Sequence, residues 1–295
     1  MTLTDAEVPA WWQRLGLPGL LDIHVHFLPE PVMRRVWEQF DRAGPLIGRA
    51  WPISYRTSDE ERVETLRRLG VRRFSALPYA HRPGIATYLN DWADAFAAAV
   101  PEAWSCATFY PEPEAARYVK ERVTAGTDLW KVHVQVGDFD LNDPLLDDVW
   151  GTLQEAGAPV VVHAGSGPVP NRHTGPRPLR ALLERFPRLT VVVAHMGAPE
   201  YADFVSIAED FGRVRLDTTM AFTDFFEDGA AYPAELFPRL RALSDRVLFG
   251  SDFPNIPYPF AHQIEALEGL ADRAGFDDEW LRAVCWHNTA RLMAR

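Results

Sequence analysis

Eight short apolar runs, spread over the whole chain and separated by stretches of helical periodicity, constrain the fold more than any other feature of the sequence. They are Leu20 to His26, Arg73 to Pro78, Trp104 to Phe109, Leu129 to Gln135, Pro159 to His163, Leu189 to His195, Val214 to Thr218 and Val247 to Ser251. The most apolar of them are Val-rich and continuous rather than alternating, which predicts strands covered on both faces in a parallel sheet. Helix-start chemistry and spacing predict helices between them: after Ser58 in DEERVETLRRLG, and over 88–100, 113–124, 144–156, 179–186, 200–211 and 235–243. Eight strand–helix repeats predict an α/β chain, a (β/α)8 TIM barrel rather than an open doubly wound sheet. At 295 residues the chain is long enough for one such barrel, and no Gly/Ser-rich linker divides it, so a single domain over residues 1–295 is expected. No strand leads into GxGxxG and no GxxxxGK[ST] occurs, which excludes the common nucleotide-binding readings. The least regular stretch, Phe27 to Thr57, is rich in Pro, Gly and Trp and predicts a long loop after the first strand, either a lid or an insertion packed on the rim.

Composition narrows the function. The chain is 47% hydrophobic and 24% charged, enough apolar material for a sizeable core. A formal net charge of -11 gives no reason to expect nucleic acid or an anionic membrane as partner. The longest apolar stretches, 159–164 and 189–194, are far short of the ~20 residues of a membrane-spanning helix. The N-terminal segment carries early acids and no apolar core, so it does not read as a secretory signal. The two cysteines, Cys106 and Cys285, exclude a disulfide scaffold and a thiolate cluster, and fit a reducing cytoplasm. A metal would therefore be held by histidine and carboxylate. The expected partner is a small-molecule substrate, and a homo-oligomer is compatible with the sequence.

Five of the nine histidines fall in or at the ends of four strand-like runs. His24 and His26 are two apart, so strand alternation puts both side chains on one side with Val25 opposite, and such a pair can chelate one ion. Lys131 and His133 share the same spacing on the fourth run. The fifth ends at His163, the sixth at His195, and the eighth runs into Gly250-Ser251-Asp252-Phe253-Pro254. Active sites of such barrels lie at the C-terminal strand ends, where these residues are expected to converge. Imidazole and carboxylate without thiolate suit one divalent metal, Zn(II) by default, with Mn(II), Fe(II), Co(II) or Ni(II) as alternatives.

DIHVHF on the first run, VVVHAG on the fifth, VVVAHMG on the sixth, FGSDFP on the eighth and the terminal WHNTARLM together resemble the amidohydrolase superfamily. More narrowly they are similar to the amidohydrolase-related branch that includes aminocarboxymuconate-semialdehyde decarboxylase. The resemblance covers nearly the whole chain and implies a distorted TIM barrel with a mononuclear or binuclear divalent centre. It implies that His24, His26, His163 and Asp252 are ligands or near-ligands, and that His195 is the acid/base that orients water. Binuclear members carboxylate a lysine ending the fourth strand, a context that Trp130-Lys131-Val132 resembles and His133 departs from. One metal and a substrate-facing or structural Lys131 is the favoured reading.

The physical roles follow from the residue types. A divalent cation on His24, His26 and His163 lowers the pKa of bound water from about 15.7 toward ~7. Asp252 can take the proton or complete the coordination, and His195 suits a second proton transfer. The loops supply Tyr79, Arg82, Arg172, His173, Trp51, Phe222 and Tyr258. With Lys131 and His133, these predict a small ring-bearing or unsaturated substrate, an arginine fork being matched to a carboxylate. Hydrolysis of a C–N or C–O bond is the expected reaction, with decarboxylation of a small unsaturated acid as the rival.

Overall fold

The computed structural model describes residues 2–294, with strands and helices alternating along the chain. The strands are β1 (Leu20–Asp22), β2 (Val71–Ser75), β3 (Ala103–Trp104), β4 (Cys106–Thr108), β5 (Leu129–His133), β6 (Val160–His163), β7 (Val191–Val193), β8 (Val214–Asp217) and β9 (Val247–Leu248). The chain forms two compact units, one of residues 1–74 with 217–295, the other of residues 75–216.

In the first unit β1 pairs with β2 in parallel, Leu21 facing Arg73 and Asp22 facing Phe74. Past the end of β1, Ile23 N donates to Phe249 O at 3.1 Å, and past β8 Thr218 N donates to Leu248 O at 2.9 Å. The helix Asp59–Leu69 forms where the sequence predicts it, because Ser58 and Glu61 close a capping box: Ser58 Oγ accepts from Glu61 N and Glu61 Oε2 from Ser58 N. The helix stops at Gly70 in the left-handed region, φ 81°, and buries Val63, Leu66 and Leu69. Trp12 donates its indole N–H to Leu69 O at 3.1 Å, which lays the ring against Gly70.

The second unit carries a parallel ladder from β4 to β8, with Thr108 facing Lys131, Lys131 facing Val161, Val162 facing Val193 and Val193 facing Leu216. Every residue of β6 and β7 is buried, as continuous Val runs require. Each valine so buried contributes about 1.5–3 kcal/mol over leaving it exposed. The flanking helices Ala86–Ala99, Ala115–Ala125, Asp147–Ala156, Pro176–Arg185 and Tyr201–Asp210 match the predicted ones to within a few residues.

Two expectations need correction. The third run is two strands, because Ser105 turns its backbone to Asp128: its carbonyl accepts from Asp128 N at 2.9 Å and its N–H donates to Asp128 Oδ2 at 3.0 Å. The stretch 27–57 is not mainly irregular, since residues Glu30–Ile47 form an 18-residue helix. Pro31 sits at its start, where a missing N–H costs nothing, and Gly48 ends it at φ 78°. Only Met33 of this helix is fully buried, so its pattern lacked a wide apolar stripe.

A side chain at position 70 would be strained twice, by φ and by the Trp12 ring, whose Nε1 would lie 2.5 Å from an added Cβ. Gly70→Ala should therefore destabilise the fold by about 1–3 kcal/mol, read as a lower midpoint in denaturant unfolding.

Candidate functional site

In the first unit the HxH pair is locked to the segment after β9 by backbone bonds. Asp252 N donates to His24 O and His26 N to Phe253 O, each at 2.8 Å. This works because Asp252 adopts φ 66°, unusual for a residue with a side chain. Gly250 lies so close that an added Cβ would meet Thr219 Oγ1 at 2.2 Å and His24 Cβ at 2.9 Å, so only glycine fits between them.

His24, His26 and Asp252 are all buried, and their ligand atoms lie within 4.8 Å of one another, a group able to hold a metal ion. Asp252 Oδ1 stands 3.0 Å from His26 Nε2 and 3.8 Å from His24 Nε2. The other face of His24 is committed, since Nδ1 lies 2.9 Å from Asp217 Oδ2. A carboxylate on Nδ1 fixes the tautomer with the lone pair on Nε2, the usual support of a metal-ligating imidazole. Asp22 lies below, fully buried, accepting from His24 N and Ser251 N through Oδ1, both at 3.1 Å. Burial pushes its carboxyl up to about 8. The buried carboxylates of Asp217 and Asp252 face these two imidazoles, and a divalent cation would offset their charge. Two imidazoles and a carboxylate without thiolate fit such an ion.

The second unit gathers its own imidazoles. In-register pairing of His133 with His163 across β5 and β6 stacks their rings at 3.9 Å and 11°, and the His195 ring meets His163 edge-on at 4.7 Å. Tyr79 lies 5.6 Å from His133. His163 Nε2 hydrogen-bonds Gly167 O at 2.9 Å, which as donor leaves Nδ1 as the basic atom. His195 and Met196 both have φ 55° and Gly197 follows at φ 76°, a left-handed turn directly after β7. The turn after β6 packs backbone to backbone on it: a Cβ on Gly165 would lie 2.4 Å from Ala198 O. Ser166 N donates to Glu200 Oε2 at 3.1 Å, and Ser166 Oγ to Glu200 Oε1. Lys131 is wholly buried in β5.

Of the expected substrate-facing residues, Arg172 is exposed and donates through Nε to His173 Nε2 at 2.9 Å, while Arg82 is exposed. Trp51 lies in an irregular segment, as expected, and is buried, donating to Asn255 O at 2.6 Å. His262 bonds Asp224 at 2.7 Å, a surface role. Sequence reasoning missed Asp217, although a carboxylate closing an apolar run (RLDTT) was a readable signal. It also missed Arg62, whose exposed-looking place in DEERVETLRRLG gives no hint that it is buried.

Comparison with known proteins accords with this arrangement: the amidohydrolase family model matches residues 21–294. The chain belongs to the amidohydrolase family. Among solved structures it is similar to an uncharacterised TIM-barrel protein of Bordetella bronchiseptica, at 19% identity and TM-score 0.74, covering 94% of this chain and 98% of that one. It is similar also to 5-carboxyvanillate decarboxylase of Sphingomonas paucimobilis, at 16% identity and TM-score 0.63, covering 94% and 99%. A third is a probable 2-pyrone-4,6-dicarboxylic acid hydrolase of Acinetobacter baumannii, at 14% identity and TM-score 0.62, covering 94% and 100%. No curated protein matches the chain in sequence. The likeness shows the fold, an α/β TIM barrel. Among the described residues no helix is long and apolar enough to cross a membrane.

Loss of a ligand should show directly in metal retention. Asp252→Asn and His26→Ala are expected to weaken divalent-metal affinity by at least about 10–100-fold in chelator competition. Arg172→Ala, remote from the three ligands in sequence and exposed, should leave it unchanged.

Proposed function

We propose that this amidohydrolase-family chain, read as one domain, is a metal-dependent hydrolase of a small amide, lactone or ester, with one Zn(II) on His24, His26, Asp252 and His163. The observation that carries this reading is Asp252 Oδ1 set beside both Nε2 atoms of the HxH pair, with His24 oriented from behind by Asp217. When bound, the metal supplies Lewis acidity and an activated water. Asp252 is the base that takes the proton of the attacking water. His195, held by its left-handed turn and edge-on to His163, is the acid for the leaving group. Mn(II), Fe(II), Co(II) or Ni(II) would serve the same donor set.

The substrate carries a carboxylate. Arg62 supports this: its guanidinium is buried with Nη2 on Asp59, while Nε and Nη1 have no partner among the described residues. It packs 5.2 Å over the ring of Phe27, the residue after His26, and 5.3 Å over Trp37. Buried donors without acceptors are costly, and a carboxylate would satisfy both in a fork. Tyr79, His133, Arg82, Arg172 and His173 are the further substrate contacts of this reading. Two buried cysteines without a disulfide accord with a cytoplasmic setting.

A second reading, decarboxylation, is favoured by Lys131, a buried lysine suited to a carboxylate substrate, and by the named activity of the Sphingomonas protein. Incubating metal-loaded protein with lactones, amides and unsaturated or aromatic acids separates the two. Ring opening or amide cleavage is expected; release of CO2 without hydrolysis overturns the hydrolase. On the substrate so found, His195→Gln should lower kcat by about 10²–10⁴-fold with metal content retained. Arg62→Met should raise KM roughly tenfold or more, the loss of a charge-assisted hydrogen bond.

A further inference from the structure

Gln263 lies fully buried on the helix Phe260–Ala274, and every hydrogen-bonding position of its amide is used. Oε1 accepts from Met220 N at 2.9 Å and from Tyr258 OH at 3.1 Å, while Nε2 donates to Thr218 O at 2.9 Å and to Ala221 O at 3.4 Å. Both acceptor and both donor capacities of a primary amide are thereby filled, three of the four by the backbone of one short loop.

That loop is not regular structure. It leaves β8 at Asp217 and passes through Met220 at φ 55° and Phe222 at φ 69°, conformations that side-chain-bearing residues avoid. Such a loop holds its shape only where its surroundings over-determine it. Within it Ala221 N reaches Thr218 O at 3.0 Å and Thr219 O at 2.7 Å, and Thr223 Oγ1 reaches Met220 O at 2.6 Å. The loop also carries the support of His24. Asp217 accepts from Thr219 N through Oδ1 at 3.1 Å and faces His24 Nδ1 through Oδ2 at 2.9 Å. Gly250, whose absent side chain lets Thr219 come close to His24, binds the same loop from below, with its N–H 3.4 Å from Thr218 Oγ1.

We infer that Gln263 is a positioning residue for His24. By fixing the backbone at 218, 220 and 221, it holds the Asp217 carboxylate against Nδ1 and so keeps Nε2 as the basic, ligand-bearing atom. A neutral, buried glutamine is suited to this: it binds backbone donors and acceptors together and adds no charge near the buried Asp217. The inference rests on His24 being a metal ligand, but its structural half, the state of the His24 ring, can be read without metal.

The test uses the full-length protein and four variants: Gln263→Met, similar in shape but without the hydrogen bonds; Gln263→Glu, which keeps the accepting positions and loses the two donated bonds; Asp217→Ala; and Leu270→Ala. Leu270 is buried on the same helix, so its truncation reports general loosening. Two quantities are measured on folded samples: the exchange-protected His24 Nδ1 proton in metal-free protein by imidazole ¹⁵N-edited NMR, assigned by its loss in Asp217→Ala, and Zn(II) affinity by chelator competition. In Gln263→Met the proton signal should disappear and the affinity fall about tenfold or more, with Gln263→Glu intermediate and Leu270→Ala like wild type. An absent signal in wild type, its persistence in Gln263→Met, or equal weakening by Leu270→Ala overturns the inference. If Gln263→Met does not fold, unchanged signal and affinity in Gln263→Glu overturn it. If wild type binds no Zn(II) while the signal still follows Gln263, the metal reading fails and the positioning role stands.

Discussion

The hydrogen bond between His24 and Asp217 is the interaction on which the rest of the first unit's chemistry depends. It joins two side chains that water does not reach, at 2.9 Å. A buried carboxylate needs partners, and an imidazole N–H is one that leaves the opposite nitrogen basic. Reversing the ring would present the Nε2 face to Asp217 and turn the other nitrogen toward Asp252. Direction at His24 is therefore set by the end of β8 and not by β1 alone. Asp22 completes the frame from beneath, where its Oδ1 ties the backbone of His24 to that of Ser251 and thereby aligns the two chain segments that carry His24, His26 and Asp252.

Backbone conformation does the remaining placement, at a cost. His195, Met220, Phe222 and Asp252 all occupy the left-handed region without being glycine. Each such residue costs on the order of 1–3 kcal/mol, and these four lie in the segments that follow β7, β8 and β9, where chemistry is expected. Glycine takes the same conformation at the helix ends Gly48, Gly70, Gly126, Gly157 and Gly275, while Asp138 takes it after the short helix Val134–Gly137. At His195 and Asp252 the chain keeps an ionisable side chain in spite of the strain.

Much of this was legible in the sequence, and the reason is periodicity. A strand that is buried on both faces shows as an unbroken Val run, and a polar residue ending such a run is conspicuous, so His163, His195 and the HxH pair stood out. The stacking of His133 on His163 followed from their parallel register, which run lengths alone did not give. What sequence hid were residues whose meaning comes from packing. Gln263 lies within an ordinary amphipathic helix and Arg62 within a charged one; their burial depends on what covers the helix, which no local pattern records. The helix Glu30–Ile47 was obscured for the opposite reason, since it is largely exposed and carries Pro31, Gly44 and Pro45, residues that usually mark loops.

The acidic balance of the chain acquires a different meaning once burial is known. A net charge of -11 describes a surface on which most acids are solvated or paired with arginine, as Arg122 is with Asp91 and Asp94. Such exposed pairs contribute about 0–1 kcal/mol each and set solubility more than stability. The few buried charges behave otherwise. In the first unit Asp22 and Asp217 are withdrawn from water together, and burial raises the Asp22 carboxyl. What sets this position apart from the many exposed acids of an acidic protein is therefore its depth and the imidazoles of His24 and His26, not the number of negative charges.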